Sequence, residues 1–172
     1  MMKARIAFFS NERGTAAAEM ALVAPLLIVL MFGALETGKF FWDEHIVVKA
    51  VRDAARFAAR QSFDSMPCGG TAANDTAIKN VAMYGEPTVG ASDHPRLYYW
   101  TDPTTVTVSI TCYDNSGTDG DRVYDGVYAD RGEVPQVTVT AVIPYSPLVG
   151  GVSSLISGAH VGASDQAVVF GL

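Results

Sequence analysis

The run from Met20 to Leu35 constrains this chain more than any other stretch. It reads M-A-L-V-A-P-L-L-I-V-L-M-F-G-A-L, and no side chain in it is charged. As a helix rising about 1.5 Å per residue it covers about 24 Å. A bilayer core is about 30 Å thick, so a span takes a few more residues at each end. Ala16, Ala17 and Ala18 supply them on one side. On the other, Phe40, Phe41 and Trp42 form an aromatic group suited to a membrane interface. Lys3, Arg5 and Arg13 precede the run against a single Glu12. That bias puts the N-terminus in the cytoplasm and the remainder across the membrane.

The helical pattern continues beyond the apolar run. At 100° per residue, Ile46, Val47, Val48, Ala50, Val51, Ala54, Ala55, Phe57 and Ala58 share one arc. His45, Lys49, Arg52, Asp53, Arg56 and Arg60 share the opposite one. Asp43 and Glu44 fall off the pattern, where the chain leaves the membrane and water is near. With no Gly or Pro over 39–61, one helix is expected from Thr15 to about Arg60. It has a membrane part over 15–42 and an amphipathic part over 43–61. Pro25 removes one backbone bond inside the membrane part, where a kink is expected.

Glu19 is the one carboxylate at the start of this span. By itself it reads as an end-of-helix charge that snorkels to the interface or favours the helix dipole. Its setting adds to that: a short basic leader, Gly14, small residues, Glu19, then the apolar helix. This order resembles a type IV prepilin processing site, in which a membrane peptidase cuts after the glycine and the glutamate is the fifth residue of the mature chain. The wording is narrower still. G-T-A-A-A-E-M-A-L-V-A-P-L-L, followed by F-G-A-L-E-T-G, is similar to the start of the TadE-like family, pseudopilins of the tight-adherence (Tad/Flp) pilus system. Gly14, Ala17, Glu19, Ala21, Leu22, Val23, Pro25, Phe32, Gly33, Glu36 and Gly38 fit that pattern. Met20 stands where the family usually carries an aromatic. A second, weaker match is I-K-N-V-A-M-Y-G at 78–85.

The resemblance implies a leader over 1–14, a cut between Gly14 and Thr15 by a separate prepilin peptidase, and an assembly role for Glu19. A conventional secretory signal fits less well. The run exceeds the usual apolar region of up to about 15 residues, and Gly33-Ala34-Leu35-Glu36 makes a poor cleavage site.

The remaining residues, 62–172, suit one small α+β domain outside the membrane. From Asp64 onward there are 12 acidic and 4 basic residues. So acidic a surface argues against nucleic acid, whose phosphates need cations. Cys68 and Cys112, the two cysteines of the chain, both fall in this outer part. In an oxidising compartment they suggest one disulfide, the alternative being two unrelated thiols. Pro67, Cys68, Gly69 and Gly70 form a loop, and Asn74 or Asp75 can cap a short helix closed by Gly85. Residues 104–112 and 136–143 alternate strictly between apolar and polar, as half-buried strands do. A weaker strand is expected over 122–128, a last one over 166–170, and a short amphipathic helix over 148–156. The cluster Tyr98-Tyr99-Trp100 reads first as packing against sheet or helix. The fold class is therefore α+β, a long N-terminal transmembrane and amphipathic helix on a small antiparallel sheet, pilin-like in plan.

Chemistry is sparse. His45, His94 and His160 are scattered, without the spacing of a zinc site. Nothing matches G-x-S-x-G or a glycine-rich phosphate loop. The loop D-N-S-G-T-D-G-D-R at 114–122, with Asp125 beyond, is rich in oxygen ligands of the kind calcium takes. The EF-hand spacing fails: with Gly120 sixth, Asn115 is first and Gly117 third. A solvated hairpin turn is the plainer reading. No catalytic residue, metal or cofactor is expected. The expected partners are the peptidase, other pilins or pseudopilins, the assembly platform and the bacterial inner membrane. Two other classes stand beside this reading, an unprocessed membrane-anchored periplasmic binding module and a small periplasmic hydrolase on an anchor.

Overall fold

A computed structural model describes residues 12–117, 124–150 and 158–171. Helix α1 (Glu12–Ala59) runs unbroken through Pro25. It is followed by α2 (Asp75–Tyr84), β1 (Val106–Asp114), β2 (Glu133–Pro144) and β3 (His160–Val168). Single 3-10 turns lie at Phe63–Ser65, Pro103–Thr105 and Gly126–Tyr128. The three strands form an antiparallel meander in the order β1-β2-β3, with Val108 opposite Val139 and Val139 opposite Asp165.

The two halves of α1 meet different surroundings. Over 14–35 its side chains are bare apart from a partly covered Ala24, and Leu22 is 80% exposed. This half is long and apolar enough to cross a membrane. From Glu36 a buried stripe begins, through Asp43, Val47, Ala50, Val51, Ala54, Ala55, Ala58 and Ala59. Steps of three and four residues keep this stripe on one helix face. Its alanines are small enough to bring the helix close to the sheet. Val137, Val139, Ala141 and Ile143 of β2 and Val161 of β3 face it. Ile78, Ala82 and Met83 of α2 and Trp100 complete the core.

Helix α2 ends as its sequence predicts. Gly85 takes a left-handed conformation (φ 91°), and its N–H donates to the carbonyl of Val81 at 3.0 Å. At the other end Asn74 is the N-cap residue, but its side chain donates to Gln61 Oε1 (2.9 Å) rather than capping. Cys68 and Cys112 are bonded, with Cα atoms 5.8 Å apart, so the loop after α1 is tied to β1.

Four expectations change. Asp43 does not face water; it is 3% exposed, because the 98–100 segment folds over it. No strand forms over 126–128; the chain turns there, with Gly126 at φ 70°. The last strand starts at His160, not Gln166, and ends at Val168. Leu148 and Val149 are not helical, while 151–156 of the expected amphipathic helix lie outside the described residues. Most of the expected leader, 1–11, lies outside them too, as do 118–123 of the acidic loop.

Candidate functional site

Gly14, Thr15 and Glu19 all lie on the first turns of α1 and are exposed. Among the described residues, nothing from the head lies within 4 Å of a Cβ placed on Gly14. Glu19 lies about one turn along the helix from Thr15.

At the other end of the bare half, two carboxylates stand on the buried face of α1. Glu36, 8% exposed, is enclosed by the 145–149 segment. Tyr145 Oη donates to its carboxylate at 2.6 Å. The N–H of Leu148 donates to it at 3.1 Å and that of Val149 at 3.2 Å. Two turns on, Asp43 accepts from Tyr99 Oη at 2.7 Å and pairs with the Lys39 ammonium. That ammonium lies 4.7 Å from the centre of the Tyr145 ring and 5.2 Å from that of Tyr99. It is thus held between two aromatic faces and a carboxylate. Phe40 packs edge-on against Tyr145, their ring centres 5.3 Å apart. Burial, followed by the hydrogen bond to Asp43, raises the Tyr99 phenol above its usual pKa; burial and Glu36 do the same to Tyr145. Both phenols are kept as donors, which is what the carboxylates need.

The sequence pointed to Glu36 only as a motif residue and misplaced Asp43. The spacing held the missing information, because Glu36, Asp43, Val47, Ala50 and Ala54 continue one stripe. A carboxylate within such a stripe must meet donors from another element when it is buried.

The Tyr98-Tyr99-Trp100 cluster divides its work. Trp100 is buried, and its Nε1–H donates to Thr105 Oγ1 at 2.8 Å. Tyr99 holds Asp43, while Tyr98 stays exposed. Arg96 fixes the preceding loop to the helix through Asp53 at 2.9 Å.

Asn115 opens the acidic loop and is buried. Its Nδ2 donates to the carbonyls of Tyr124 (3.0 Å), Tyr128 (2.9 Å) and Arg131 (3.2 Å). Its Oδ1 accepts from the Tyr124 N–H at 3.0 Å, which fixes the orientation of the amide. The three carbonyls converge on the amide nitrogen, and the side-chain oxygen takes a backbone N–H, so Asn115 pins the start of the acidic loop to the 124–131 segment. Glu133 lies beside the disulfide, its carboxylate and the two sulfurs within 4.8 Å of one another. Sulfurs bonded to each other lack the thiolate charge that binds a metal.

Half bare and half packed, α1 makes the molecule a stalk with an α+β head. Residues 14–56 match the family model described as TadE-like protein. The match takes in the 14–38 motif and stops within the packed half of α1, so the rest of the head lies outside it. No curated protein and no solved structure matches the chain significantly.

Proposed function

We propose that this chain is a TadE-like minor pilin or pseudopilin of a Tad-type pilus system, with a structural rather than catalytic role. The observation that carries the reading is the single helix whose bare half holds the TadE-like motif and whose packed half carries the head. In this reading 15–42 spans the inner membrane, residues before it lie in the cytoplasm and 62–172 form a periplasmic domain. A prepilin peptidase cuts after Gly14, and Thr15 then bears a new α-ammonium near Glu19. Among neighbouring helices the carboxylate pairs with its own amine or with that of an incoming subunit. In an apolar setting such a pair is strong, and removing one partner leaves a charge that costs several kcal/mol. Cys68 and Cys112 stay oxidised in the periplasm.

Two measurements test this. The mass of the protein extracted from membranes is expected to correspond to a chain beginning at Thr15, and Gly14→Val to leave the full-length precursor. An intact Met1 in the wild type would favour the unprocessed binding module. Glu19→Ala is expected to insert at normal abundance yet fail to restore surface pili in a deletion strain. A helix that only anchors loses nothing by this change, so wild-type piliation would refute the assembly role.

A further inference from the structure

The contacts of Glu36 fix the height of the 145–149 segment relative to the span. A bilayer core takes about 20 helical residues. Counted from Ala16, such a span ends near Leu35; counted from Met20, near Lys39. Glu36 is at the boundary either way, and so are the Leu148 and Val149 N–H groups bonded to it. Glu36 accepts both N–H groups there, so the segment reaches the boundary with its backbone donors met. The side chain of Leu148, however, is 61% exposed. Tyr98, whose Oη lies 3.2 Å from Ser146 Oγ of the same segment, is exposed as well. So are Phe41 and Trp42 on α1. The Cα–Cβ bonds of a helix tilt toward its N-terminus, so these last two reach back toward the boundary.

We propose that this rim seats the head on the lipid bilayer. Leu148 enters the zone between acyl chains and headgroups, and Tyr98 and Trp42 lie at headgroup level, where amphipathic rings are favoured. Lipid is the occupant that continuity supports: the rim carries on directly from the bare apolar half of α1. The proposal rests on that half spanning the membrane.

The test uses the full chain in phosphatidylcholine nanodiscs at one copy each, with lipids carrying a nitroxide near the headgroup. Because Cys68 and Cys112 are bonded, an environment-sensitive maleimide dye reacts, without reductant, with an introduced cysteine alone. Leu148→Cys is compared with Thr37→Cys, exposed at the same height on α1, and Thr111→Cys, exposed on the outer face of β1. Leu30→Cys reports on the span itself. Dye at 148 is expected to be quenched as strongly as at 37 and several-fold more than at 111. Iodide access at 148 equal to that at 111, with dye at 30 protected, would overturn the seat and leave the span standing. Iodide access at 30 as well would overturn both. Protection of 148 only in vesicles holding many copies would overturn lipid in favour of a second copy of this chain.

Discussion

Glu36 and Asp43 occupy places where valine or alanine would continue the buried stripe of α1. Each is held by donors from loops far along the chain, Tyr145, Leu148 and Val149 for one and Tyr99 for the other. Glu36→Ala removes the acceptor from three donors at once. An unmet buried donor costs about 1–3 kcal/mol. The thermal midpoint of the detergent-solubilised protein, followed by circular dichroism, should fall by several degrees. Asn115→Ala is expected to destabilise by a similar amount, about 1–3 kcal/mol, since four bonds converge on its side chain. Sequence patterning found the stripe but not what the two carboxylates do in it. Their partners lie 56 and more residues away, and alternation within a helix carries no record of a loop that folds across it.

Among the elements, α1, α2 and the first two strands were legible because each carries a strong local period or a cap. β3 was only half legible. Its inward face is Val161, Ala163, Asp165 and Ala167, too small and too polar to stand out by alternation alone. The segment before β2 looked like a strand because of Val123, Tyr124, Val127 and Tyr128. Gly126 and the grip of Asn115 bend it into a turn instead. The alanines of α1 allow a specific check. Ala54 is fully buried, and Ala54→Leu should overpack the contact and cost about 1–3 kcal/mol, read as a lower thermal midpoint. The disulfide ties the loop after α1 to β1 across a sequence separation of 44. By the chain-entropy estimate its loss costs about 4 kcal/mol. Alkylation of the denatured, unreduced protein should find no free thiol, and Cys112→Ser should unfold well below the wild type.

At the scale of the whole molecule, the resemblance reached as far as the stalk. The head had to be read from periodicity, and the outer domain's acidity said what it would not bind rather than what it would. The collar of tyrosines gives the molecule an alkaline limit. Tyr99 and Tyr145 titrate above the ordinary tyrosine value in the folded state. Their contribution is therefore full below about pH 10, the unfolded tyrosine value. It is lost as pH rises through the higher folded values. Tyrosinate absorbance should show a late-titrating phase that shrinks in Tyr99→Phe and in Tyr145→Phe. Titration of either ring at the ordinary value would contradict the half-buried collar.

The unbroken helix has a mechanical consequence. α1 has no loop between its bare half and the head, which grips it from Glu36 to Ala59. That gripped length is an arm of about 35 Å. A helix of fixed apolar length answers a thicker or thinner bilayer by changing its tilt. With no joint to absorb the change, the head must swing with the stalk, and its far end travels furthest. In the proposed spanning arrangement, membrane thickness then sets the angle at which the far end of the head is held.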